Sequence, residues 1–236
     1  MNDASQTPKT ALIIGATRGI GATTALRFAS DGYTVAGTHR HGGHVPDGII
    51  PIELDITDEA SITAGFAAAL EALGGRLDVL VVSAGITKDG LLMRASAEDI
   101  LEVLRVNTIG PILASKAALK PMLKQRSGSI VLLSSMSVKY GVPGQTTYTA
   151  SKGAIEAFAR SLAREYANRG LRVNVVAPGT TDTDMIAAMS DKDRDHMMAD
   201  GPMGRLGRTD EIADVILNVA SSTYMSGSTI AVSGGA

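Results

Sequence analysis

The 236-residue chain has no cysteine. That excludes disulfides and thiolate metal ligands, and it fits a reducing compartment. It also lacks an excess of charge: 22 Lys and Arg against 24 Asp and Glu leave a net charge of −2, with no strongly basic block. Such a balance argues against a nucleic-acid surface. No apolar run reaches the length that spans a bilayer. The opening MNDASQTPK is polar and has no apolar centre of the kind a signal peptide needs. It reads as a disordered arm over residues 1–9, and the cytoplasm is the simplest compartment. Aromatic residues make up only 3% of the chain, so where one stands beside a charge its position is informative.

What is present is a regular alternation. Short apolar runs at ALIIG, YTVAGTHR, IIPIELDI, LDVLVVSAG, SGSIVLLSS, LRVNVVAPG and STIAVSG read as strands. Helical patterns fall between them, at about Ile20–Ser30, around Ile62, Phe66, Ala69 and Leu70, at Ala97–Gln125, from Tyr148 to about Asn168, and near 209–220. Alternating strands and helices predict an α/β fold. It is one doubly wound, Rossmann-like parallel sheet of about seven strands with helices on both faces. No Pro/Gly linker divides it, so residues 10–236 are expected to form a single domain. Ligands in such sheets bind beyond the carboxyl ends of the strands.

The first strand runs into GATRGIG, with Gly15, Gly19 and Gly21. Glycines there allow a tight turn and let a backbone approach a pyrophosphate at a helix N-terminus, which predicts a dinucleotide site. The second strand ends GTHRHGG, with His39 and Arg40 and no carboxylate to hold a ribose 2′-hydroxyl. Arg18 and Arg40 together suit a 2′-phosphate, so NADPH is expected over NADH. Taken alone, Arg40 would read as a solvated loop charge. The histidines at 39, 41 and 44 stand among glycines without ligating acids, and no metal is expected. Asp55, after the third strand, either accepts from an adenine amino group or forms a turn.

In TTYTASKGA, Tyr148 and Lys152 are four apart and share a helix face. A nearby ammonium stabilises a phenolate, which predicts a lowered tyrosine pKa. The plainer alternative is a half-buried tyrosine beside a surface lysine. Ser135 ends the fifth strand, where its hydroxyl would meet a substrate carbonyl oxygen or simply close the strand. Asn107 lies four residues before Pro111, which has no N–H for its carbonyl. Either an ordered water takes that carbonyl and links Lys152 to solvent, or Pro111 marks only a bend.

Taken in order along the chain, these motifs resemble the short-chain dehydrogenase/reductase family from Ile14 to Gly235. Within it the chain is most similar to the 3-oxoacyl-[acyl-carrier-protein] reductases, through GITKDGLLMR, GPMGRLGRTDEIADVILNVAS and GSTIAVSGG. The resemblance implies Asn107, Ser135, Tyr148 and Lys152 as catalytic residues. For the cofactor it implies Gly15, Thr17, Arg18, Gly19, Ile20, Gly21, His39, Arg40, Asp55, Ile56, Ser83, Ala84 and Gly85, then Tyr148, Lys152, Pro178, Gly179, Thr181 and Thr183. It implies Arg126 and Arg169 beside the active-site entrance as contacts for an acidic carrier protein; read alone, they are surface cations at helix ends. The chain departs from the family pattern in two places: Val82-Ser83 replaces the Asn-Asn of Asn-Asn-Ala-Gly, and Ile14 replaces a threonine.

The implied reaction is NADPH-dependent reduction of a 3-oxoacyl thioester on acyl carrier protein, in a fatty acid, polyketide or polyene pathway. The alternatives are a reductase of a free alcohol, sugar or steroid, an NADPH-binding sensor, and a partner in a synthase assembly. The Met-rich segment Thr181–Met203 reads as a lid over the acyl chain. The family resemblance also implies a homotetramer.

Overall fold

The computed structural model describes residues 8–183 and 202–236. Seven strands, β1 (Thr10–Ile14), β2 (Thr34–His39), β3 (Ile50–Glu53), β4 (Val79–Val82), β5 (Gly128–Leu133), β6 (Leu171–Pro178) and β7 (Thr229–Val232), form one parallel sheet in the order β3-β2-β1-β4-β5-β6-β7. The helices are α1 (Gly19–Ser30), α2 (Glu59–Ala72), α3 (Ala97–Leu104), α4 (Gly110–Gln125), α5 (Ser137–Tyr140), α6 (Thr146–Tyr166) and α7 (Thr209–Ser221). This is the expected α/β architecture.

Strand period two builds the core. Leu12 and Ile14 of β1 face one layer, with Phe66 of α2, Met122 of α4 and Ile155 of α6. Ala11 and Ile13 face the other, with Phe28 of α1 and Ile216 of α7. Every residue of β1, β4 and β5 is buried, which is why those strands read as unbroken apolar runs. Two side chains cap helices as elementary chemistry demands: Asp58 accepts from Ala60 N and Ser61 N at the start of α2, and Ser96 from Asp99 N at the start of α3.

The chain winds outward from β1 through β2 to β3, then crosses back to β4 on the other side of β1. The crossover leaves a cleft beyond the carboxyl ends of β1 and β4. The long helix expected over 97–125 is present, but a π-turn at Arg105–Ile109 divides it into α3 and α4. The short α5 and a 3₁₀ turn at Leu92–Arg94 fall where no helix was expected. Residues 1–7 of the expected arm and 184–201 of the expected lid lie outside the described residues. Among the described residues, no helix is long and apolar enough to cross a membrane.

Candidate active site

The cleft has a volume of about 900 Å³ and runs along the carboxyl ends of β1, β2, β4, β5 and β6. Its first wall is the glycine turn. Gly15 has φ +85°, open to glycine at little cost, and a Cβ on it would press to 2.8 Å from Ala84 N. A Cβ on Gly21 would overlap the Gly15 carbonyl. Thr38 anchors the turn: its Oγ1 accepts from Gly15 N at 3.0 Å and its carbonyl from Ala16 N at 3.1 Å. Sequence reading missed this residue because a threonine in a strand carries no local mark of such a duty.

Arg18 is the N-cap of α1, and no side chain caps the helix there. The first-turn amides of α1 are thus left for an anion, unlike those of α2 and α3. Arg18, His39 and Arg40 line this end of the cleft. His39 Nδ1 lies 2.9 Å from its neighbour's carbonyl at Arg40. Asp55 Oδ1 accepts from Thr57 N and Thr57 Oγ1, bonds that hold its carboxyl below the usual range, so the turn-forming reading describes that oxygen. Among the described residues, no group of three His, Cys, Asp or Glu stands close enough to hold a metal ion.

At the other end stand Ser135, Tyr148 and Lys152, from the end of β5 and the first turns of α6. Lys152 is buried; its ammonium donates to Leu133 O at 2.9 Å and lies 5.8 Å from the centre of the Tyr148 ring. Burial lowers the lysine pKa to about 8. The tyrosine departs from expectation. Its pKa is raised, chiefly by burial, against the pull of the Ser135 hydroxyl. The lowering expected from Lys152 is not seen; burial of the phenol dominates.

Asn107 is wholly buried and stands behind the cleft, outside its lining. Its side chain grips the loop after β4: Oδ1 accepts from Ile86 N at 2.9 Å, and Nδ2 donates to Ile86 O and to Ser151 Oγ. Gly85 fits between this amide and Lys152; a Cβ there would come within 3.2 Å of Lys152 Nζ and 3.4 Å of Asn107 Oδ1. Gly21 also stays behind the lining, whereas Thr17, Gly19, Ile20, Ile56, Ser83, Ala84, Pro178, Gly179, Thr181 and Thr183 all border the cleft.

Arg126 and Arg169 are brought together elsewhere. Arg126 caps α4 just before β5, Arg169 ends a 3₁₀ turn just before β6, and a Cβ on Gly170 would overlap the Arg126 carbonyl. Both arginines are exposed at the amino ends of their strands. Ser135 follows the carboxyl end of β5, a strand length of roughly 20 Å away at about 3.3 Å per residue. The expectation that they border the cleft of their own chain is therefore corrected. The signal was in the sequence: both arginines precede a strand, and Ser135 follows one.

A family model described as enoyl-(acyl carrier protein) reductase matches residues 15–236. The chain belongs to the short-chain dehydrogenase/reductase family, whose fold it shares along nearly its whole length. More particularly, it is 39% identical to the 3-oxoacyl-[acyl-carrier-protein] reductase FabG of Thermotoga maritima, across 96% of this chain and 97% of that protein. It is also 39% identical to FabG of Escherichia coli K12, over 96% of each chain. With the 3-oxoacyl-[acyl-carrier-protein] reductase MabA of Mycobacterium bovis it shares 36%, over 96% of this chain and 92% of that one. A solved structure described as ElxO with NADP bound superposes with a TM-score of 0.90 at 31% identity, covering 97% of this chain and 98% of that one.

Proposed function

We propose that this chain reduces the ketone of a 3-oxoacyl thioester on acyl carrier protein to the hydroxyl, with NADPH as reductant. The observation that carries the reading is the meeting of Ser135, Tyr148 and Lys152 at one end of a cleft whose other end is a glycine turn flanked by two arginines. The naming of the curated relatives supports the same substrate.

The residues present fit the cofactor. The uncapped start of α1 and the Gly15–Gly21 contact form a cradle that any side chain would fill, suited to a pyrophosphate. Arg18 and Arg40 would hold a 2′-phosphate. Of the residues that line the cleft, His39, Asp55 and Ile56 would border the adenine, and Ser83, Ala84, Pro178, Gly179, Thr181 and Thr183 the nicotinamide. When bound, NADPH supplies the hydride that the ketone carbon accepts.

The protein's own work is at the oxygen. Ser135 donates a hydrogen bond to it and stabilises the charge that develops there. Tyr148 then gives it the phenolic proton. A phenol whose pKa is raised keeps that proton at neutral pH, so the acid is loaded before substrate arrives. The Lys152 ammonium stabilises the phenolate left behind and holds the cofactor ribose. The carbonyl of Asn107 would ordinarily bond to the residue four ahead, Pro111, which has no N–H, and a water held there refills the proton through Lys152. A carrier-protein contact at Arg126 and Arg169 would require a second copy of the chain, placed so that the amino ends of its β5 and β6 come beside this cleft. The homotetramer implied by the family would provide one.

The test is NADPH oxidation by the purified chain with acetoacetyl carrier protein, beside crotonyl carrier protein and the Tyr148→Phe variant. Turnover of the ketone alone is expected, with a loss on the order of 100-fold or more in the variant. Turnover of the crotonyl thioester instead would replace ketone reduction with enoyl reduction, the activity in the family model's description.

A further inference from the structure

We infer that Glu156 is a positioning residue: through Ser134 it sets the end of β5 in register against α6, so that the Ser135 hydroxyl meets the Tyr148 phenol. The inference rests on Ser135 and Tyr148 as the reacting pair.

On α6, Tyr148, Lys152 and Glu156 fall at i, i+4 and i+8, a single stripe along the helix. Three consecutive residues at the end of β5 answer them. The Leu133 carbonyl accepts from Lys152 at 2.9 Å, the Ser134 hydroxyl donates to Glu156 Oε1 at 2.8 Å, and the Ser135 hydroxyl acts on Tyr148. Ser134 also reaches the Lys152 carbonyl at 3.4 Å. Its backbone is fixed independently, because Ser134 N donates to Val176 O of β6 at 2.8 Å. The hydroxyl is therefore the part of Ser134 that joins sheet to helix.

The Glu156 side chain is only 16% exposed, and a carboxylate so placed must be compensated. Facing it are the Ser134 hydroxyl and, from its own helix, Arg160 at 3.9 Å from Oε2. Glu156 does not border the cleft. Lys152 is expected to exchange Leu133 for a ribose, which leaves the Ser134–Glu156 bond as the tie that no ligand displaces. Two groups that must meet within a few tenths of an ångström thus depend on a bond neither of them makes.

The experiment uses the full chain with Ser134→Ala, Glu156→Ala, Glu156→Gln and the Ser134→Ala/Glu156→Ala double variant. NADPH oxidation with acetoacetyl carrier protein gives kcat and KM. Tyrosine ring-carbon NMR, assigned with Tyr148→Phe, follows the titration of Tyr148. Both alanine variants are expected to lower kcat about tenfold, within the ~100-fold that a 1 Å misplacement can cost, with KM for NADPH unchanged. They should also raise the Tyr148 midpoint as the Ser135 contact loosens. Glu156→Gln, which still accepts from Ser134, should restore both, and the double variant should be no worse than the worse single one. A Tyr148 midpoint unmoved by either alanine variant would overturn the inference, as would a glutamine variant as impaired as the alanine. Ser134→Ala removes one hydroxyl and keeps the test decisive should Glu156→Ala fail to fold. A wild type that ignores every ketone would sink the proposed function, while the NMR midpoints would still judge this inference.

Discussion

The Lys152 ammonium donates to the Leu133 carbonyl and lies 5.8 Å from the centre of the Tyr148 ring, buried and, among the described residues, with no carboxylate bonded to it. Its pKa falls from 10.5 to about 8 through burial alone. Between those values the folded chain binds fewer protons than the unfolded one, so this group makes stability rise with pH from about 8 to 10.5. At neutral pH the charge costs roughly 3 kcal/mol, by the conversion of pKa shift to free energy. Lys152→Met should therefore abolish turnover yet raise the thermal midpoint by a few degrees, a gain scaled for a chain of this size. Calorimetry beside an activity assay checks both halves.

The same lysine shapes the pH profile. With Tyr148 raised, the acid stays protonated well past neutrality, and the first group to lose its proton on the alkaline side is Lys152. The value of kcat/KM for NADPH, which reports ionisations of the cofactor-free protein, is expected to fall as pH passes about 8. A plateau extending to pH 10 would contradict this assignment.

Gly21→Ala places a methyl against the Gly15 carbonyl at the foot of the pyrophosphate cradle. The turn must open, so NADPH affinity should drop by at least about tenfold, while the buried sheet survives. Fluorescence titration of NADPH, with circular dichroism as the fold control, reads the two separately.

Arg40 faces the cleft end where a 2′-phosphate would lie. Arg40→Ala should raise KM for NADPH about tenfold, the worth of a lost charge-assisted bond, and leave KM for NADH nearly unchanged. Equal losses with both cofactors would assign Arg40 to the loop rather than to the phosphate.

Far from the cleft, Asp78 ties β4 to β1. Its Oδ2 accepts from Thr10 N at 3.0 Å, Thr10 Oγ1 at 3.2 Å and Arg76 Nε at 2.9 Å. Burial pushes its pKa up, but the Arg76 and Thr10 bonds outweigh that and hold it below 3.8. Its contribution is thus complete above the unfolded value and lost as pH falls through the lower folded one. Asp78→Ala should cost roughly 2–4 kcal/mol, because it strands a buried N–H and a half-buried guanidinium. Urea unfolding of both proteins at pH 7 measures the difference.

The inner strands were legible because a parallel sheet buried on both faces writes itself as apolar runs, as VLVV of β4 does. The Tyr148–Lys152 pair was legible for a similar reason: a helix makes spacing into proximity. What stayed hidden depended on contacts between distant segments. Thr38 reaches Gly15 across 23 residues and Ser134 reaches Glu156 across 22, and no local pattern marks either. The direction of the Tyr148 shift was misjudged because burial, which outweighs the Ser135 hydrogen bond, is set by the packing of the whole cleft. Pro111 announced an interruption in the long helix, but not that a π-turn would absorb it.

That π-turn amounts to one extra residue threaded into an otherwise continuous helix. A residue is worth about 100° of helical rotation. Removing one residue from 105–109 would let α3 and α4 run on as a plain α-helix, swinging everything upstream about a quarter-turn around the axis. Asn107 would leave Ile86, and the loop that seats Gly85 beside Lys152 would lose its anchor. The cleft is thus set by chain length at this point as much as by the identity of any side chain in it.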